Sequence, residues 1–143
     1  MRFLGIDYGT KRVGVAISDE NGTLAFPNGI LPNNLNLYKE IGIILKEENI
    51  GEIVVGESMD FKGEPNVVAK DIEVFISELE ARFEIPIAKQ KEFLTSVEAR
   101  RGEGKEKNNA RKTKKENGKK IDDSAAALIL QRYLDKKNKS LML

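Results

Sequence analysis

Residues Arg2 to Asp19, RFLGIDYGTKRVGVAISD, decide how the rest of the chain is read. Two apolar runs, Phe3-Leu4-Ile6 and Val13-Val15-Ile17, flank Tyr8-Gly9-Thr10-Lys11-Arg12, so the pattern predicts a β-hairpin with a charged turn. Gly5 and Gly14 fall inside its strands, where a missing side chain weakens the strand but lets a neighbour approach the backbone. Asp7 closes the first strand. It is either the acid of an Asx-type turn or a carboxylate held for chemistry. Thr10, Lys11 and Arg12 either close the hairpin or place a hydroxyl and two cations beside a phosphate.

Working outward, Gly22 to Leu31 predicts a third, short strand entered through the Asn21-Gly22 turn, with Pro27 marking an edge position. Asn33 or Asn34 is positioned to cap a helix in which Leu37, Tyr38, Ile41, Ile44 and Leu45 recur at helical spacing, ending near Asn49. Glu52-Ile53-Val54-Val55-Gly56 is a short β-branched run that suits a parallel strand buried on both faces and ended by Gly56. Val68, Ile72, Phe75, Ile76, Leu79 and Phe83 mark a second amphipathic helix. Ile85-Pro86-Ile87-Ala88 begins a fifth strand, with Glu92 just beyond it. Ile121-Asp122-Asp123-Ser124 reads as a helix start, followed by Ala125, Ala126, Ile129, Leu130, Tyr133 and Leu134 on one side of a closing helix. The tail from Lys136 to Leu143 reads as frayed.

A chain of 143 residues is expected to form one domain, residues 1–143, with a core of several strands and helices. That length does not accommodate a two-lobed ATPase. There are no cysteines and no histidines, which excludes disulfides, soft-ligand zinc sites, thiol nucleophiles and Ser-His-Asp chemistry. Any hydrolysis has to run on carboxylates and a hard metal. No stretch approaches a transmembrane span and no signal segment precedes the first strand, so the expected setting is cytoplasmic, away from membranes. The net charge is only +1, but it is unevenly spread. Residues 100–120 carry 10 Lys and Arg against 3 Glu, a net +7, and leave −6 for the remainder. With Ala110 as its sole apolar residue apart from glycine, this segment has nothing to bury and is expected to be a flexible basic loop.

DYGTKRVGVA is similar to the opening motif of the YqgF/RuvX family, RNase H-like proteins described both as Holliday junction resolvases and as pre-16S rRNA nucleases. A D-x-G-T turn also opens the phosphate-binding hairpin of actin-like ATPases, which chain length disfavours. Three further blocks carry the resemblance: IVVG at residues 53–56, FLTSVEA at 93–99, and IDDSAAALILQRYL at 121–134. It implies an α/β, RNase H-like fold: a mixed five-stranded sheet, made of an antiparallel three-strand meander plus two parallel strands, flanked by helices.

The resemblance further implies catalysis by Asp7, Glu92 and Asp122, acting as ligands for Mg²⁺ or Mn²⁺ in a two-metal site, with Asp7 bridging. Whether Asp123 shares the role of Asp122 is left open by the resemblance. Thr10, Lys11, Arg12, Lys119 and Lys120 would then contact substrate. The physical rationale is that phosphodiester hydrolysis without His or Cys needs metal to activate water and to stabilise the leaving oxygen. Each Mg²⁺ takes only one or two carboxylates. Bland readings stand beside these roles: Asp122 as a helix cap and Glu92 as a surface acid. The family's acid before Glu92 is Lys91 here and its following Arg is Phe93. The expected function is therefore a metal-dependent endonuclease on structured nucleic acid, either precursor rRNA or branched DNA. The alternative is an RNase H-fold nucleic-acid-binding protein with impaired catalysis. Either a monomer or a homodimer is compatible, and a junction resolvase would need the dimer.

Overall fold

A computed structural model describes residues 1–59, 69–93 and 125–140. The elements run β1 (Arg2–Asp7), β2 (Arg12–Ser18), β3 (Ala25–Pro32), α1 (Leu37–Glu47), β4 (Ile50–Met59), α2 (Ala69–Arg82) and β5 (Ile87–Phe93), closed by α3 (125–140). The strands form one sheet in the order β3-β2-β1-β4-β5. β1, β2 and β3 make the antiparallel meander, while β4 lies parallel to β1 and β5 parallel to β4. This is the RNase H-like arrangement expected from the sequence.

Strand alternation divides the core in two. Leu4, Ile6, Val13, Val15, Ile17, Ile53 and Val55 face α1 and α2, meeting Leu37, Ile41 and Leu45 of the first helix and Ile72, Phe75, Ile76 and Leu79 of the second. Phe3, Ala16 and Val54, in the opposite alternation, pack against Ala126, Ile129, Leu130 and Leu134 of α3. Both faces are covered, which is why β1 and β4 read as nearly continuous apolar runs. Full burial of each of Ile129, Leu130 and Leu134 contributes about 2 kcal/mol.

Two strand glycines set how closely α3 docks. A Cβ on Gly5 would lie 2.7 Å from Leu130 Cβ, and one on Gly56 would collide with Ile129 Cδ1. The bare backbone is the seat of the helix. Ala126 and Leu130 sit over Gly5, Tyr133 reaches Phe3 with ring centroids 6.1 Å apart, and Asn138 donates to the Gly22 carbonyl at 3.0 Å. α3 therefore starts near the C-terminal ends of the parallel strands and runs toward their N-terminal ends.

Four details differ from the sequence-based expectations. β4 does not stop at Gly56 but continues to Met59, because β5 pairs with it as far as Phe93. Glu92 consequently lies within β5, not beyond it; the polar run Lys89-Gln90-Lys91 is tolerated in a strand because β5 is the outermost of the described strands. The residue capping α1 is Asn36, without a side-chain bond, whereas Asn34 Oδ1 accepts from the Asn36 N–H at 2.9 Å and Asn33 is engaged elsewhere. The chain remains helical through residue 140 instead of fraying from Lys136, and the Asn138 bond to Gly22 anchors that last stretch. The edge position inferred from Pro27 holds: β3 is the outer strand, with an irregularity opposite Val15 and Ala16 and a left-handed Gly29 at φ 120°.

Candidate active site at the end of the central strand

Asp7 is the last residue of β1, the middle strand of the sheet. Its antiparallel partner is Gly14, and one step past the Ile6–Val55 pair its parallel neighbour is Gly56. Glycine on both sides leaves the carboxylate without lateral side-chain neighbours at its own level of the sheet. It is half-buried, and that burial pushes its pKa above the usual carboxylate value. Among the described residues it makes no hydrogen bond and no ion pair.

The turn after Asp7 is braced from both sides. Tyr8 packs on Phe75 of α2 with ring centroids 4.7 Å apart. A side chain at Gly9 would strike the Arg12 carbonyl oxygen, so the tight turn requires glycine there. Asn33, at the end of β3, donates from Nδ2 to the Gly9 carbonyl at 2.8 Å and from its backbone N–H to the Lys11 carbonyl at 2.9 Å. In the sequence Asn33 reads as a helix cap; its position directly after the third strand is the signal that points to this bracing role.

Thr10, Lys11 and Arg12 are all exposed on this braced turn. Arg12 lines a cleft of about 170 Å³ with Asp7, Gly14 and Ile30. The structure thus brings Asp7 and Arg12 to one concave surface. A larger cleft of about 500 Å³ lies at the opposite pole, where Arg2 is ion-paired to Glu48 at 2.9 Å and lies 3.7 Å from Glu20. Those mutually satisfied charges read as a structural clasp.

Position 92 pairs with Ser58, two residues beyond Gln90, which is level with Gly56. Two strand spacings across and two residues along put its Cα roughly 12 Å from that of Asp7, at the same end of the sheet. Lys91 is exposed and pairs with Glu57, in the alternation of Ile87 and opposite to the one Asp7 shares with Gln90. A lysine on the other face does not oppose a cation at Asp7. Asp122, Asp123, Lys119, Lys120, Phe93's neighbours from 94 onward and the whole basic segment 100–120 lie outside the described residues. Among the described residues no three acids gather. A half-buried, unpaired carboxylate between two glycines nevertheless fits a hard divalent cation, whose charge would offset the desolvation.

The family model described as "RuvX: Holliday junction resolvase" matches residues 1–136. The chain belongs to the RuvX family. A relative from Maridesulfovibrio salexigens, named "Putative pre-16S rRNA nuclease", is 35% identical over 136 residues, covering 94% of this chain and 98% of its own. One from Thermoanaerobacter pseudethanolicus with the same name is 38% identical over 142 residues, covering 97% and 100%. Among solved structures, T. thermophilus RuvC in complex with a Holliday junction substrate overlaps 64% of this chain and 66% of its own, with 16% identity and a TM-score of 0.46. Membership places this RuvX-family chain among nucleases, hydrolases of phosphodiester bonds. No helix among its described residues is long and apolar enough to cross a membrane.

Proposed function

We propose that the protein is a metal-dependent endonuclease of the cytoplasm that trims precursor 16S rRNA. The observation that carries this reading is Asp7: a half-buried carboxylate with no described partner at the end of the central strand, followed by a braced turn that presents Thr10, Lys11 and Arg12. Asp7 would hold Mg²⁺ or Mn²⁺, with Glu92 and Asp122 completing the ligand set. When bound, the ions supply activation of water and stabilisation of the leaving oxygen. Arg12, across the cleft from Asp7, and Lys11 beside it orient a phosphate by charge-assisted hydrogen bonds. The glycines at 14 and 56 keep side chains from filling the space where a phosphate must approach Asp7.

The relatives' shared name favours precursor rRNA; the family description favours a four-way DNA junction as the second reading. Incubating the purified protein with labelled precursor rRNA, four-way junction and duplex DNA, each with Mn²⁺, Mg²⁺ or EDTA, separates them. Metal-dependent cleavage of the rRNA fragment alone supports the proposal. Cleavage of the junction alone transfers the activity to the second reading. Binding without cleavage under every metal condition leaves the catalytically impaired alternative that Lys91 and Phe93 suggested.

A further inference from the structure

Beyond α3, on the side away from the Asp7 cleft, the last turns of that helix and β5 enclose a second cleft of about 400 Å³. Lys89, Gln90, Tyr133, Lys136, Lys137 and Ser140 line it. Among the described residues the lining holds three cations and no acid. None of the three lysines forms an ion pair among the described residues. Two carboxylates are already engaged: Glu52 of β4 accepts from the Tyr133 hydroxyl at 2.6 Å, and Asp135 of α3 itself accepts from Gln131 Nε2 at 2.9 Å.

Lysines near a helix C-terminus complement the helix dipole, and this accounts for Lys136 and Lys137 taken alone. It does not account for Lys89, which reaches the same cleft from the outermost described strand, nor for the lack of an acid among the described lining residues. Lys137 Nζ stands 6.0 Å from the ring centroids of both Phe3 and Tyr133, so cation–π attraction holds its ammonium group against the aromatic wall.

We propose that this cleft binds the sugar-phosphate backbone of the nucleic-acid strand flanking the cleavage point, a reading that rests on the nuclease function proposed above. Charge complementarity selects the ligand. Tyr133 has its hydroxyl bonded and its ring packed against Phe3, so the cleft offers phosphate contacts without a free stacking platform. Recognition here is therefore insensitive to base sequence. The cleft runs away from the chemistry: Gln90 at its near rim is level with Asp7, two strand spacings or roughly 10 Å across the sheet, and the helix lysines lie farther off. Lys136 lies eleven residues along α3 from residue 125, or about 16 Å, and the first turn of α3 is at Asp7's end of the sheet. A strand cut beside Asp7 therefore reaches the helix lysines of the cleft only when its flank extends several nucleotides past the cut.

The test uses the full-length triple variant Lys89→Gln/Lys136→Gln/Lys137→Gln beside a charge-matched control, Lys39→Gln/Lys46→Gln/Lys70→Gln. The latter removes exposed lysines from α1 and α2. Both are compared on labelled precursor rRNA fragments whose flank past the cut is about two or about twelve nucleotides. For the long flank, the cleft variant should raise KM roughly tenfold with kcat within about twofold, and flatten the salt slope of binding by about 2, at about 0.7 for each phosphate no longer neutralised. For the short flank the loss should be clearly smaller, and the control should match wild type on both. Affinity is also read by anisotropy in EDTA, so binding by the cleft is scored even if the protein does not cut. In that event the nuclease reading falls while the affinity comparison still decides the cleft. Wild-type affinity of the cleft variant for the long flank, equal losses for both flanks, or the same loss in the control would overturn the proposal.

Discussion

Asp7 carries a cost in the folded state that function has to justify. Burial raises its pKa, so ionising it opposes folding, and among the described residues no cation forms an ion pair with it. A carboxyl whose native pKa lies above its unfolded value favours the native state below the unfolded pKa and loses that advantage as pH rises through the native one. Asp7→Asn should therefore melt higher than wild type at neutral pH, and the two should converge as pH falls into the ordinary carboxylate range. The same variant should lose at least about 100-fold in metal-dependent cleavage, since removing a ligand costs no less than disturbing an outer-shell partner. Thermal melts across pH, run beside cleavage assays, check both halves; an Asn variant that is less stable yet fully active would make Asp7 a turn residue. Asn33 offers a contrasting case. Asn33→Ala removes the bond to the Gly9 carbonyl and should cost about 1 kcal/mol in denaturant unfolding. Asn33→Asp should fare no better, because a carboxylate cannot donate to that carbonyl.

At the scale of elements, the hairpin, the meander and the closing helix were legible because their apolar periods are unmixed: Leu4, Ile6, Val13 and Val15 alternate cleanly, and Ala126, Ile129, Leu130 and Leu134 keep helical spacing. What escaped was set by neighbours in space. Lys89 to Glu92 does not announce a strand, and only pairing with Val55 to Ser58 makes it one. Asn33 resembled a cap locally, but the turn it braces is 24 residues away. Gly56 looked like a terminator, and its actual role is to admit Ile129. Gly56→Val should force α3 away from the sheet, costing about 1–3 kcal/mol by overpacking. It should also slow cleavage, because Gly56 borders Asp7. Equilibrium unfolding and a cleavage assay on the same preparation test this; unchanged stability would mean that the helix seat is looser than the Gly5 and Gly56 contacts imply. Of the candidate site, Asp7 and its cationic turn were legible from the hairpin alone, whereas the level of Glu92 relative to Asp7 depended on the register of β4 and β5.

For the whole molecule, the charge distribution separates roles. The Arg2, Glu20 and Glu48 cluster knits the N-terminal pole, while the exposed cations Lys11 and Arg12 stand at the other pole with Asp7. The basic segment 100–120 adds a net +7. Replacing Lys112, Lys114 and Lys115 with Gln should weaken binding of rRNA, junction and duplex alike and flatten the salt slope, because phosphate contacts carry no sequence information. Anisotropy titrations at several salt concentrations check this, and a loss confined to one substrate would assign that segment a part in recognition.

The docking of α3 onto Gly5 and Gly56 also bears on the order in which the protein matures. Asp7 is synthesised well before the helix that covers the neighbouring face of the sheet, which comes from residues 125–140. Synthesis proceeds from the N-terminus at about 5–20 residues per second, so the sheet waits several seconds with Phe3, Ala16 and Val54 uncovered before that helix arrives. A nascent chain halted short of residue 125 would leave that apolar flank of the sheet unshielded and prone to association with other chains.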